Sequence, residues 1–585
     1  MCLLILMSIS YLVFLLLELL LLVIAIGLAF AIPRFASSWL ESVERAGSAF
    51  AQKRGASILL CAAFPVIARL FLLPFLQVPV PAIQEEFSYL LSADTFAHGR
   101  LANPPHPMAV HLESFQVLQH PTYSSIRPPA QGLFLALGQV VFGHPWAGVL
   151  LSIAAMCAGI CWMLQAWTSP GWALLGGLLA GLRLGVFPYW TNTYWGGAVT
   201  ALGGVLVLGA LPRIQRAPRV KDALLMAFGV GLLATTRPFE ALFVLLPVAA
   251  VLLWTLLRSD DGVPRSQKVW RFVAPMAASM MVLITFLAVY NWKVTGSPLK
   301  NPYALGRQGR NIAHPFVWQK PDPEPVYQHA MFRDFYVGWE LPLWERIQEP
   351  AGYAREMYWR VKEYWKFFIR PVFTIPVLIM VPWLWWDRRL RVLLAIICLT
   401  AIGTLAATWG PPYYHAATTG LVFILITEGL RRLRDWQPSG KPAGLFLSRS
   451  IPVLSVVVFL TLTACAVLRA DIYGEDVLYW TYTKSRLRNR ALVLAQLEKL
   501  PGKHLAIVRY RSTADPHMDW VFNGADIDGS KVVWAREMGP EENQQLLQYF
   551  QDRRAWLVQP SNPDRTQWLT PYPGTSAQGT LSVLR

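Results

Sequence analysis

Charge is what this sequence has least of. Only 15% of its 585 residues are Asp, Glu, Lys or Arg, where a soluble domain carries about 25%. Acid is the scarcer sign, with 35 acidic residues against 52 basic ones. Hydrophobic residues make up 54% and mean hydropathy is +0.38, so there is too little polar surface for a soluble globule of this size. Cysteine is also sparse. The six cysteines (Cys2, Cys61, Cys157, Cys161, Cys398 and Cys465) all lie in apolar segments, where they act as small hydrophobes, and no disulfide framework follows from them. Cys157 and Cys161 share a helix face, which reads as packing. Sequence signatures of the usual soluble chemistries are absent: there is no GxxxxGK(S/T), HExxH, CxxC or GxSxG, so nothing points to a P-loop ATPase, zinc protease, thiol enzyme or serine hydrolase. The ten histidines lack tight ligand spacing. A divalent metal stays open as a cofactor with no residues assigned to it.

What is present is a series of apolar runs, which read as transmembrane helices. We place about twelve, at 3–32, 57–80, 146–166, 172–190, 196–212, 221–236, 239–257, 272–291, 371–386, 390–408, 414–430 and 451–469. The first run lacks a basic leader and is long for a signal peptide, so it is read as a retained helix. The net charge of +17 comes from short basic clusters between these runs: Arg45, Lys53 and Arg54; Arg213 to Lys221; Arg258 to Arg271; Arg388 to Arg391; Arg431 to Lys441. That is positive-inside patterning and not a nucleic-acid surface.

Placing the clusters in the cytoplasm leaves 81–145, 292–370 and everything after 470 outside. It also decides the apolar stretch 128–143. If that stretch crossed, nearly every later cluster would face outward. Its 15 or so residues span about 22 Å of helix against about 30 Å of hydrocarbon, so it is expected to lie along the outer interface. After residue 470, alternating strand-like and helical runs (HLAIVRY, KVVWAREM, ENQQLLQYF, AWLVQP) predict a small α/β domain. The domains expected are 1–56, an N-terminal helix and connection; 57–470, the transmembrane domain with outer loops 81–145 and 292–370; and 471–585, a periplasmic α/β domain.

The candidate chemistry gathers on the outer side. Glu85 and Glu86 open a helix expected from Gln84 to His98, with Pro81 before it and Gly99 after it. Tyr89 shares the face of Glu85. Two carboxylates at an interface repel each other and lose water, the surroundings in which a general base works near neutrality; acids in a first turn also simply suit the helix dipole. Arg127, ahead of Pro128 and Pro129, suits a phosphate or snorkels at the interface. Arg183 is a charge inside an apolar run, which usually faces a cavity or a partner. Arg237 and Glu240 sit three apart at an outer hairpin. Asn192 and Tyr194, in the tract NTYWGGAV, are candidate sugar contacts, as is His415 at a helix entrance. The aromatic loop 292–370 reads as an ordered cover.

An acidic pair just after a helix, a tyrosine soon after it, and a basic residue before Pro-Pro resemble the GT-C membrane glycosyltransferases. The resemblance is to the bacterial family-39-type branch, akin to protein O-mannosyltransferases and aminoarabinose transferases. It spans about 57–300 by motif and 371–470 by helix pattern. It implies an all-α polytopic fold in a bacterial inner membrane, with a polyprenyl-phosphate sugar as donor and a lipid, glycan or protein as acceptor. It gives Glu85 the role of base, Glu86 that of orienting acid, and Arg127 that of phosphate contact. This sequence departs from the family twice: Glu85 stands where Asp is usual, and NTYWGGAV lacks the family's second acid, a role open to Glu240. The alternative is a polytopic membrane protein without catalysis, a transporter or an envelope-assembly component with a degenerate site.

Overall fold

The computed structural model describes residues 8–35, 37–258, 264–468, 471–473, 489–511, 517, 519–562 and 564–573. Helices of eight residues or fewer are named by range; the longer ones of the bundle are α1 (Tyr11–Ala31), α2 (Ser37–Ala51), α3 (Arg54–Phe71), α4 (Gln84–Ala97), α5 (Pro129–Phe142), α6 (Pro145–Trp167), α7 (Pro170–Leu184), α8 (Ala198–Arg216), α9 (Val220–Ala234) and α10 (Pro238–Leu257). Then come α11 (Arg265–Thr295) and α12 (Pro350–Trp386), each carrying a π turn, and α13 (Arg391–Ala406), α14 (Thr419–Arg434) and α15 (Ala443–Val467). Proline opens α5, α6, α7 and α10, a position where its missing N–H costs nothing.

Eight of these helices are long and apolar enough to cross a membrane. The other four expected spans form α7 and α9, of 15 residues each, and α13 and α14, of 16 each. The chain is an all-α polytopic membrane protein with a small C-terminal α/β domain. Some boundaries differ from expectation. The second helix ends at Phe71, nine residues early, where Pro74 and Pro79 follow. Residues 37–51 and much of 330–370 are helical, although their polar composition reads as connection. Residues 3–7 of the expected 3–32 helix, and part of the polar stretch after 470, lie outside the described residues, and residues 8–10 form a short strand instead of helix.

The basic clusters define one end of the bundle. Arg213 and Arg216 donate to the carbonyls of Trp162 and Ala166, in the last turns of α6. Arg434 and Arg449 both clasp Glu44 of α2. At the opposite end, Ala130 at the start of α5 donates to Thr235 at the end of α9. Beyond the other end of α5, Trp146 donates to Thr191 on that same side. Helix α5 therefore starts and finishes at one end of the bundle. Gly138 of α5 meets Gly148 of α6 so closely that an added Cβ would lie 2.1 Å from the Gly148 nitrogen.

The C-terminal domain is built on a four-stranded sheet: β5 (Lys503–Val508), β6 (Val532–Arg536), β7 (Arg553–Val558) and β8 (Leu569–Pro571); the short pairs β1 (Ser8–Ser10) with β4 (Asp471–Tyr473), and β2 (Val117–Leu118) with β3 (Ser124–Ser125), precede it in the chain. The order is β6-β5-β7-β8, parallel except for the edge strand β8. Its buried strands read as continuous apolar runs, as parallel strands should. One of its apolar clusters is shared with the first outer loop: Leu91, Leu112, Val117 and Tyr123 pack with Leu505, Ile507 and Val533.

Candidate active site

Helix α4 is held from behind by the C-terminal domain. Phe87 stacks on Phe522 with ring centroids 4.3 Å apart, and the Arg490 guanidinium lies between the Phe87 and Trp534 rings. Asp94, two turns further on, accepts from the Ala525 backbone N–H at 2.7 Å. The front of the first turn faces the loop that ends in Arg127. Glu85 pairs with Arg127 at 2.8 Å, and its side chain keeps 21% of its surface exposed.

Glu86 has a different environment. It is buried, and its Oε2 accepts from Ala82 and Ile83 while its Oε1 accepts from the Tyr194 N–H, 108 residues away. Burial pushes its carboxyl up to about 7, against the pull of those three N–H donors. The sequence suggested an orienting acid; what Glu86 orients is backbone, tying the loop 193–197 to the start of α4.

That loop has its own constraints. Gly196 and Gly197 take φ of +91° and +125°, a region closed to other residues without strain. A Cβ at Gly197 would meet the Trp190 indole nitrogen at 2.2 Å. The turn leaves a small hollow lined by Tyr89, Gln131, Gly196, Thr200, Thr236 and Arg237. Gln131 Oε1 makes no hydrogen bond among the described residues.

Arg237, at the start of α10, stacks on the Tyr414 ring at 4.1 Å. Arg127 lies within electrostatic range of Glu85, Tyr89, Arg237 and Tyr414, and Tyr414 in turn of Glu240 and Tyr303. Glu85, Tyr89, Arg127, Arg237 and Glu240 therefore lie around one site, where Arg127 pairs with Glu85 and Arg237 lies within electrostatic range of Glu240. The Arg127 Nε has no hydrogen-bond partner among the described residues. Such a pair of cations suits an anion with several oxygens.

Four sequence candidates sit elsewhere or serve the fold. Asn192 gives its amide N–H groups to the carbonyls of Val186, Phe187 and Pro188, and its oxygen accepts from Arg69. The Tyr194 hydroxyl donates to the Pro79 carbonyl and its own carbonyl accepts from Gln131. His415 is buried against the Tyr364 ring. Arg183 donates to the carbonyls of Lys366 and Phe367 and lines a separate cavity. The structure adds Gln131, Thr200, Thr236, Tyr303 and Tyr414 to the site. Of these, Tyr303 carried a signal, from the aromatic loop 292–370 that contains it.

Above the site, the segment after α11 forms a folded cover. The short helix Pro302–Arg307 packs Gly306 against Ile126, next to Arg127. Buried Glu340 accepts from Asn311 and lies 3.9 Å from Arg307, and burial pushes its carboxyl up to about 7. Arg310 pairs with Glu113 of the first outer loop at 2.6 Å. No group of three or more His, Cys, Asp or Glu side chains suited to a metal ion occurs among the described residues.

No protein-family model matches this chain, and no curated protein matches it in sequence. Among solved structures it is similar to ArnT from Cupriavidus metallidurans bound to undecaprenyl phosphate, with 14% identity and a TM-score of 0.46 over 85% of this chain and 92% of that one. It is also similar to the Archaeoglobus fulgidus oligosaccharyltransferase tethered to an acceptor peptide, with 10% identity and a TM-score of 0.43 over 79% of this chain. There the match spans 63% of the archaeal protein's length. These are likenesses of overall architecture.

Proposed function

We propose that this protein is a membrane glycosyltransferase that takes a sugar from a polyprenyl-phosphate-linked donor and passes it to an acceptor at the end of the bundle opposite the basic clusters. The observation that carries this reading is the convergence of Glu85, Arg127 and Arg237 beneath a folded cover. The donor phosphate is held by Arg127 and Arg237. An acceptor hydroxyl or amine attacks the anomeric carbon, and the bond from that carbon to the phosphate oxygen breaks. The phosphate leaves with the electron pair, and the two guanidiniums stabilise its charge. Glu85 takes the acceptor's proton. A single displacement inverts the anomeric centre.

The Glu85–Arg127 ion pair gives this scheme an order of events. A carboxylate held by a guanidinium is a weak base, and a phosphate competes for the same N–H groups. Donor binding draws Arg127 toward the phosphate and releases Glu85 for the acceptor. In the bacterial envelope the site would face the periplasm, with a lipid, glycan or protein as acceptor. The test is transfer from polyprenyl-phosphate sugars by the purified protein. Glu85→Gln should lower turnover by about 100-fold or more and leave donor binding at least as tight, because the phosphate then has no competitor for Arg127, and Arg127→Ala should weaken donor binding. Equal turnover in wild type and Glu85→Gln would remove Glu85 from the reaction.

A further inference from the structure

The bundle contains a second cavity, lined by none of the residues of the hollow beside Arg237. Its walls include Phe14 and Glu18 of α1, Arg183 of α7, Arg370 and Phe373 of α12, and Ser455 of α15. Glu18 lies about 10 Å along α1 from Tyr11, inside an apolar span, where a charge is costly unless a cavity or partner receives it. Its Oε1 pairs with Arg370 at 2.6 Å, and both side chains are only 3% exposed. Its other oxygen, Oε2, is buried and accepts no hydrogen bond among the described residues. A buried carboxylate oxygen left this way is costly until a donor reaches it.

The remaining features identify the donor. Two guanidiniums, Arg183 and Arg370, stand at the wall with the one carboxylate, a pattern complementary to a headgroup carrying both a phosphate and a cation. The rest of the wall is apolar. Helices α1 and α15, which bound the cavity, turn exposed Leu16, Leu20, Val456 and Leu460 outward, so the cavity borders the lipid-facing surface of the bundle. We propose that it holds the headgroup of a phospholipid with a primary amine, of the phosphatidylethanolamine class. The ammonium donates to Glu18 Oε2, the phosphate lies toward the two arginines, and the acyl chains follow the grooves beside α1 and α15. Phosphatidylglycerol brings no cation to Glu18, and phosphatidylcholine brings one with no N–H to donate.

This inference does not depend on the transferase reading, because its test needs no turnover. The full-length protein is purified in detergent and equilibrated with mixed micelles of phosphatidylethanolamine, phosphatidylglycerol and phosphatidylcholine. Lipid retained through gel filtration is then measured by mass spectrometry. Wild type should retain phosphatidylethanolamine over either competitor by about tenfold, the effect of one charge-assisted hydrogen bond. Glu18→Ala should abolish the preference. Val458→Trp, which fills the cavity from its α15 wall and leaves the Glu18–Arg370 pair in place, should abolish retention. Equal retention of the three lipids by wild type overturns the proposal, as does an undiminished preference in both variants. If neither variant folds, the wild-type ratio of phosphatidylethanolamine to phosphatidylcholine decides.

Discussion

The first turn of α4 sends Glu85 toward Arg127 and a partly open surface, and Glu86 inward to three backbone N–H groups. Their substitutions should therefore fail differently. Glu85→Gln strips the charge partner from Arg127, which is only 7% exposed, so it should lower the melting temperature as well as turnover. Glu86→Gln replaces one acceptor oxygen with an amide that faces an N–H, so it should lower the melting temperature and loosen the loop 193–197. The pH dependence of stability tests Glu86 separately. Its folded-state value of about 7 lies above the usual glutamate value, about 4.3. Across that window the folded state binds more proton than the unfolded one, so this group's contribution declines as pH rises and is flat above about pH 7. Measured as melting temperature, wild type should lose ground to Glu86→Gln between those two pH values. A difference that stays constant with pH would contradict the assignment.

Among the elements, the loop between α7 and α8 is held at two positive-φ glycines, one of them closed off by Trp190. Gly197→Ala must place a Cβ against Trp190 at a backbone conformation that disfavours any side chain. It should cost about 1–3 kcal/mol and lower activity with it, read as a fall in melting temperature and in transfer rate. The elements also show what was legible in the sequence. The spans, the helix Gln84–Ala97, the α/β order of the C-terminal domain and the same-side course of α5 follow from hydropathy period, caps and basic clusters, which are local signals. The locks inside the site are not local. Glu86 reaches Tyr194 across 108 residues and Arg69 reaches Asn192 across 123. Asn192 and Tyr194 read as sugar contacts because nothing nearby in the chain reveals partners so far away. The cover was expected as an ordered loop, but its helices were missed: 350–364 is charged and aromatic, and it is helical because Gly352 and Arg360 pack inward, with Arg360 donating to the carbonyls of Thr404, Ala407 and Thr408.

The molecule has a basic end and an opposite end that carries the candidate site, with the C-terminal domain built into the latter. Because that domain shares its apolar cluster with Leu91 and Tyr123 and stacks Phe522 on Phe87, it should not behave as a removable appendage. Ending the chain after residue 470 should expose that cluster and give aggregated, inactive protein by gel filtration; a monodisperse, active truncation would contradict this packing. Reporter fusions at residues 115, 215 and 440 should place 115 on the opposite side of the membrane from the other two. The most direct test of the central claim is sugar transfer from a polyprenyl-phosphate donor by purified protein, comparing wild type with Glu85→Gln. Turnover by wild type with a loss of about 100-fold or more in the variant, with donor binding at least as tight, is the predicted result. Donor binding without turnover in wild type, or equal turnover in the two proteins, would contradict it.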